Sequence, residues 1–173
     1  MEIMETNKKT VIAMIALGAC ARMLPHPWNF TPMAAIGLYA GAKSPRLRMG
    51  VFATLAALLV SDLALGFYQG MWYVYAASLI SVLLGSLVRR RESVLAVAAG
   101  AGAASVAFFL ITNFMLWATG SLYPHTLTGL SACFAAAIPF YQSQLAGDAF
   151  YTAALFGGHA LIRRFTRPVL QTA

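Results

Sequence analysis

The chain has 173 residues, of which 60% are hydrophobic and only 10% charged, against about 25% charged in soluble domains. That length fits a single domain, residues 1–173, and so few charges exclude the polar coat of a soluble protein. The net charge of +7 would favour a nucleic-acid partner for a soluble protein. Here the basic residues stand in short clusters between apolar runs, so they indicate membrane orientation and no nucleic-acid site.

Apolar runs predict an all-α polytopic membrane protein, a bundle of six membrane-spanning helices in the lipid bilayer. They cover residues 10–23, 31–42, 49–67, 71–88, 93–118 and 143–163. A span needs about 20 residues, so we expect flanking residues or a thinned bilayer to accommodate the first two. The run 129–138 is too short to cross, and it ends at Pro139, which breaks or kinks a helix.

Charge placement predicts the orientation of these spans. Eleven of the twelve Lys and Arg residues form four clusters: Lys8 and Lys9; Lys43, Arg46 and Arg48; Arg89, Arg90 and Arg91; and Arg163, Arg164 and Arg167. The intervening segments 24–30, 68–71 and 119–142 contain no Lys or Arg. This alternation satisfies the positive-inside rule for six spans. It predicts a multi-pass protein of the bacterial cytoplasmic (inner) membrane, with both termini in the cytoplasm.

Two sequence features allow more than one interpretation, namely the N-terminal stretch and the rows of small residues. Lys8 and Lys9 followed by an apolar stretch resemble a signal peptide, and Leu17-Gly18-Ala19-Cys20 resembles a lipoprotein cleavage box. The five following spans favour an uncleaved first span. Small residues also recur every four positions, a spacing that allows close helix packing or docking of a partner, and we favour internal packing. These rows are Gly37 and Gly41; Ala53, Ala57 and Ser61; and Ala96, Gly100 and Ala104.

Four polar residues fall at similar predicted depth, just below the external ends of four spans. They are Arg22, Asp62, Asn113 and Asp148. Ionisable residues inside spans are costly and mark functional sites by default, so this layer predicts a small-molecule pocket between helices. The alternative is a structural ion pair of Arg22 with Asp62 or Asp148. That pair would leave one carboxylate without a cation, which favours a ligand role for the remaining one.

The external segments are rich in aromatic and amide side chains, which can stack on and hydrogen-bond a planar ligand. The predicted binding residues among them are His26, Trp28, Asn29, Tyr68, Trp72 and Trp117. An interfacial aromatic belt is the alternative, although all three Trp residues lie on one side. We expect the segment 119–142 to form part of a lid. His26 and His125 are too few for a metal site, so neither metal nor cofactor is predicted.

Several runs resemble a family of small, uncharacterised bacterial membrane proteins over nearly the whole chain. They are Ala-Arg-Met-Leu-Pro-His-Pro-Trp-Asn-Phe-Thr-Pro at 21–32, Ser61-Asp62-Leu63 with Gly66-Phe67, Phe-Leu-Ile-Thr-Asn-Phe at 109–114, and Ala137-Ile138-Pro139-Phe140 with Gly147-Asp148. More distantly, the layout resembles the S components of energy-coupling-factor (ECF) vitamin transporters. That resemblance implies six helices and a loop-capped substrate pocket near the outer face.

Within that group, Arg and His after the first span and Asp near the end of the third are similar to the solitary cobalamin-transporting members. Those members carry a cysteine shortly after the Asp, where this chain has Tyr and Trp, which argues against cobalamin. S components that dock on an ATP-driven module often carry an Ala-xxx-Ala row on the first helix. Here Ala16 is followed four residues later by Cys20, so the row is imperfect.

These observations predict a substrate-binding protein for uptake of a small organic molecule, such as a vitamin or cofactor precursor. Uptake would occur alone or with an ATP-driven energising module, since the chain has no nucleotide-binding motif. A structural or assembly subunit is one alternative, in which the polar layer only ties helices together. A small membrane enzyme is the other. We expect no enzyme, because no catalytic motif spacing is present.

Overall fold

In the computed structural model, residues 8–25, 27–44, 46–91 and 93–166 are described, and within them the chain is all helical, without strands. The α-helices are α1 (Lys8–Met23), α2 (Met33–Lys43), α3 (Leu47–Leu65), α4 (Met71–Val88), α5 (Val94–Thr119) and α6 (Leu127–Thr166). A turn of 3₁₀ helix, Arg89–Arg91, extends α4. The all-α prediction is confirmed.

Three of the described helices are long and apolar enough to cross a membrane. They are α3, α4 together with its 3₁₀ extension, and α5. The apolar part of α1, Val11–Met23, is shorter. Lipid therefore suits this chain as a solvent, in agreement with its composition.

Helix α2 lies at the centre of the bundle and is shorter than a span. Nine of its 11 residues are buried, and Ile36, Leu38 and Ala40 are completely so. At 1.5 Å per residue it extends roughly 16 Å, about half of a bilayer core. Flanking residues do not extend it, contrary to one of the two expectations from the sequence. Proline at 32 stands at its start, and Ser44 ends it in an extended conformation.

The small-residue rows serve internal packing, as predicted. A Cβ added to Gly41 would overlap the carbonyl oxygen of Val82, and one added to Gly85 would overlap that of Leu38. The backbones of α2 and α4 thus touch where these residues meet. Ala53 and Ala57 of α3 are completely buried. Close backbone approach of this kind is how helices associate in lipid.

Helix α6 differs most from the sequence prediction. It runs for 40 residues through Pro139, so the helix does not break there, which was one of the two outcomes that the sequence allowed. Proline removes one helical hydrogen bond, but contacts with α5 hold the helix on both sides of it. The Cys133 thiol lies 3.5 Å from the carbonyl oxygen of Asn113. The Phe109 ring packs against Tyr141, with ring centroids 4.5 Å apart.

The second half of α6 packs against α2 rather than against α5. The Tyr39 hydroxyl lies 2.8 Å from Nδ1 of His159, and the Tyr39 ring packs against Phe156 with centroids 5.3 Å apart. Lys43 places its ammonium 5.7 Å from the centre of the Phe156 ring. A groove of about 680 Å³ therefore separates α5 from α6 in this region.

Candidate functional site

Arg22 and Asp62 form a buried ion pair between α1 and α3. Nη2 of Arg22 lies 2.7 Å from Oδ1 of Asp62, and Nη1 donates to the hydroxyl of Ser61 at 2.6 Å. The hydroxyl of Tyr75 on α4 donates to Oδ2 of Asp62 at 2.8 Å. Both carboxylate oxygens of Asp62 are therefore engaged by the protein, and the predicted contact of Arg22 with a carboxylate is present.

Asp148, unlike Asp62, has no cationic side chain paired with it among the described residues. Its side chain is 3% exposed, and its Oδ2 accepts no hydrogen bond within the part of the chain that the structure describes. Ser105 and Gln144 are the neutral polar side chains beside the carboxyl group. Neither carries a charge, so among the described residues Asp148 remains a buried carboxylate without a cation.

The local sequence explains how Asp148 is held in place. Nε2 of Gln144, one turn earlier on α6, donates to the Ser105 carbonyl at 3.0 Å and to the Ser105 hydroxyl at 3.1 Å, which ties α6 to α5. A Cβ on Gly147 would lie only 3.1–3.3 Å from the backbone of Phe30 and Thr31. Glycine thus lets α6 approach the α1–α2 connection closely and sets Asp148 beside the start of α2.

A cavity of about 370 Å³ connects these groups. Every one of the six α-helices or the connections that follow them contributes to its wall. The lining residues are Arg22, Asn29, Thr31, Met33, Ala34, Leu58, Tyr68, Val74, Ser78, Phe108, Thr112, Gln144 and Asp148. Its volume falls in the range of small-molecule sites, and it combines apolar walls with a few convergent polar groups.

A smaller cavity of about 110 Å³ adjoins the first and shares Asn29, Phe108, Thr112 and Gln144 with it. Asn113 lines this smaller cavity together with residues of α6 that precede Gln144. The Asn113 amide donates to the Phe109 carbonyl of its own helix at 2.8 Å. The two cavities therefore form one polar region between α5, α6 and the α1–α2 connection.

The predicted lid takes a different form from the one expected. Residues 127–142 do not form a separate short segment over the bundle, because they are the first four turns of α6. Ala137, Phe140 and Tyr141 from those turns nevertheless line the smaller cavity. The cover is thus part of a long helix rather than a re-entrant segment.

Four of the predicted binding residues line the larger cavity: Arg22, Asn29, Tyr68 and Asp148. Asn29 adopts a positive φ of 60°, a conformation that Asn tolerates better than most residues, so its identity also serves the turn. Burial raises the pKa of the Tyr68 phenol above its ordinary value, and the charge of Asp62 adds to this effect. Tyr68 therefore faces the cavity as a neutral hydrogen-bonding group.

The three tryptophans line neither of these two cavities, and their part in binding stays a prediction. Trp28 is 79% exposed and packs against the edge of Phe140, and Trp72 is 61% exposed beside Tyr73. Trp117 donates its indole N–H to the Pro124 carbonyl at 2.9 Å. Their wide rings favour the interfacial positions that the belt alternative describes. His26 lies outside the described residues.

Sequence reasoning missed a polar stripe on α6, of which the first two members, Gln144 and Asp148, line the larger cavity. Gln144, Asp148 and Thr152 follow one another at intervals of four on α6, and all three are buried. Ser105 and Thr112 are likewise two turns apart on α5 and share its face. The interval of four residues on α6 is visible in the sequence and could have identified this buried polar face. No group of three His, Cys, Asp or Glu side chains that could hold a metal ion occurs in the described ranges.

Asp148 also lines the groove between α5 and α6, so it borders both this groove and the 370 Å³ cavity. The groove is mostly apolar and is walled by small side chains. Its lining residues are Ser93, Val94, Val97, Ala98, Ala101, Gly102, Leu145, Asp148, Ala149, Thr152, Ala153, Phe156, Gly157 and Ala160. It therefore continues from the polar region toward the start of α5 and the end of α6.

Comparison with known proteins identifies a family but no described activity. No curated protein and no solved structure matches the chain. Residues 4–170 match the model of a family of unknown function, DUF6580. Since this match covers nearly the entire sequence, the chain belongs to the family DUF6580.

Proposed function

We propose that this chain is a six-span membrane protein that binds a small organic molecule in the 370 Å³ cavity for uptake into the cell. The observation that carries the proposal is the buried Asp148 carboxylate, which has no cationic partner among the described residues and lines a cavity built by all six helices. A carboxylate at such a position is expensive unless a partner satisfies it. A bound molecule supplies that partner.

The positions of the basic clusters support the proposed orientation. Arg89 donates to the Ser44 carbonyl at 2.7 Å, so the second and third clusters lie at the same end of the bundle. The cavity-lining residues Asn29 and Tyr68 belong to the connections that enter α2 and α4, at the other end of these helices. With the basic end in the cytoplasm, the cavity faces outward, as an uptake site requires.

Cysteine labelling tests the orientation. In a background without Cys20 and Cys133, single cysteines at Gln69 and Ser121 should react with a membrane-impermeant reagent in intact cells. A cysteine at Arg90 should react only after the membrane is opened, which makes it the matched control. Reaction of the Gln69 and Ser121 variants only after disruption would overturn the topology.

The binding function is tested by the molecules that the protein retains. The protein is purified in a mild detergent, and small molecules are extracted and identified by mass spectrometry. We expect one compound in the parent that is depleted in Asp148→Asn at equal amounts of folded protein, and cellular uptake of that compound that Asp148→Asn abolishes. Equal retention of the same compounds by both proteins, or uptake unaffected by the substitution, would contradict the proposal.

A structural or assembly subunit is the second candidate, and the Arg22–Asp62 pair favours it. That pair is satisfied within the protein and joins three helices without any ligand. If the whole polar layer had this role, the purified protein would retain no compound. Asp148→Asn would then leave uptake unchanged while a partner protein remained attached.

A further inference from the structure

The charges of the described side chains around the 370 Å³ cavity sum to one unbalanced negative charge. Among the residues that the structure describes, the ionisable ones lining it are Arg22, Tyr68 and Asp148. The positive charge of Arg22 is already cancelled by Asp62 at 2.7 Å, and the raised pKa of Tyr68 keeps its phenol neutral. Within the described part of the chain, the carboxylate of Asp148 is therefore the uncompensated charge of the site.

The protein's own groups compensate this charge only in part. Ser105 and Gln144 beside the carboxyl group are neutral. Helix α2 begins next to the cavity without a side-chain cap, and a helix N-terminus carries only about half of a positive charge. The Oδ2 atom still accepts no hydrogen bond from the described residues. A single positive charge on the occupant would complete the balance.

The remaining wall is largely apolar and includes an aromatic ring. Phe108 borders both cavities, Val74 and Leu58 add apolar surface, and Asn29 and Gln144 supply amide groups. Aromatic faces attract organic cations, most strongly where water is excluded. Apolar walls with a few polar groups match an organic cation that carries apolar surface beside its charge.

We propose that the occupant of this cavity is an organic cation with one positive charge, held by Asp148 as its counter-ion. This inference rests on the proposed binding function and names its ligand class. Asp62 is not a second counter-ion, because Arg22 and Tyr75 already occupy both its oxygens. A carboxyl group that carried a proton instead would give no preference for a cation over a neutral ring.

Three probes that share one pyridine ring and differ in charge test the proposal. They are N1-methylnicotinamide with one positive charge, nicotinamide with none, and nicotinate with one negative charge. Binding to the full-length protein in detergent, freed of co-purified molecules, is measured at pH 7.5 by equilibrium dialysis. We expect the cation to bind at least about tenfold more tightly than nicotinamide, as a buried charge pair allows, and nicotinate to bind most weakly.

Variants assign the preference to Asp148. In Asp148→Asn we expect the cation to lose about tenfold in affinity, while nicotinamide changes little. Thr152→Val is the matched control. Thr152 lies one turn away, is also buried, has an oxygen without a hydrogen-bond partner among the described residues, and lines the groove but not the 370 Å³ cavity. It should keep the preference. The ranking in the parent protein decides the matter even if Asp148→Asn fails to fold.

The outcomes separate this inference from the function on which it rests. Equal affinity for the cation and nicotinamide, tighter binding of nicotinate, or no binding of the cation overturns the charge assignment. If nicotinamide or nicotinate binds best, or if the extracted compound proves to be an anion, the binding function stands and only the ligand class fails. If no probe binds and no compound is extracted, both proposals fail.

Discussion

The α2–α4 contact and the α5–α6 pair are both rich in small residues but use them differently. Between α2 and α4 a Cβ on Gly41 or Gly85 would overlap the backbone of the facing helix. Gly102 on α5 and Gly157 on α6 have open space where a Cβ would point, and the groove lies between their helices. Glycine thus makes one region rigid and leaves the other with room to change, with Asp148 at the border.

The largest effect is expected for Arg22→Met, at the ion pair that joins α1 to α3 beside α4. It leaves the buried Asp62 carboxylate without its cation, and removal of one member of a buried ion pair costs about 3–5 kcal/mol. We expect the free energy of unfolding, measured by denaturant titration in detergent, to fall by about this amount. The double variant Arg22→Met with Asp62→Leu removes both charges and should recover much of the loss. A single variant as stable as the parent would show that the pair is not buried.

Gly41→Ala should rank second. The added methyl group overlaps the Val82 carbonyl and lies 2.9 Å from its carbonyl carbon, so two backbones have to move apart. Overpacking costs typically about 1–3 kcal/mol, and we expect a loss at the upper end of that range in the same titration. An unchanged midpoint would mean that α2 and α4 do not touch at Gly41.

Gln144→Leu tests the α5–α6 pair itself. It removes the two hydrogen bonds by which Gln144 joins α6 to Ser105 of α5. A hydrogen bond contributes about 0.5–1.5 kcal/mol to stability, so we expect a loss of about this size for each bond. We also expect the substitution to speed amide hydrogen exchange in α6 near residue 144 more than in α4. Faster exchange confined to α4 would contradict the assignment of the looser packing to the α5–α6 pair.

Gly157→Ala should have the smallest effect and the opposite sign. Its Cβ meets no atom within 4 Å, and alanine is favoured over glycine inside a helix by about 1 kcal/mol. The midpoint of unfolding should therefore rise slightly. A loss comparable to that of Gly41→Ala would show that the groove is closed in the membrane and that the two regions do not differ.

The sequence predicted those helices whose lengths follow directly from apolar runs. The runs 71–88 and 93–118 correspond to Met71–Val88 and Val94–Thr119. Helix α6 was predicted too short, because Pro139 and the polar residues that follow it interrupt the apolar pattern. Contacts with α5 sustain the helix there, and such tertiary support leaves no mark in a local pattern.

The candidate site was predicted in part for a related reason. Ionisable residues in apolar runs are visible in a sequence, so Arg22, Asp62 and Asp148 could be found. Which carboxylate takes the arginine depends on how α1 and α3 pack, and the sequence left both pairings open. The contact between Gln144 and Ser105 was not predicted, because it depends on how α5 and α6 pack against each other.

The shortness of the buried α2 has a consequence for how the chain enters a membrane. Its 11 residues fall well below the length that partitions into lipid as an independent segment. The backbone of Gly85 that packs against it is synthesised more than 40 residues after Leu38. A ribosome that has just completed α2 has therefore not yet made the helix that encloses it. We infer that α2 acquires its place only after α4 has emerged, so insertion and folding of this protein overlap during synthesis.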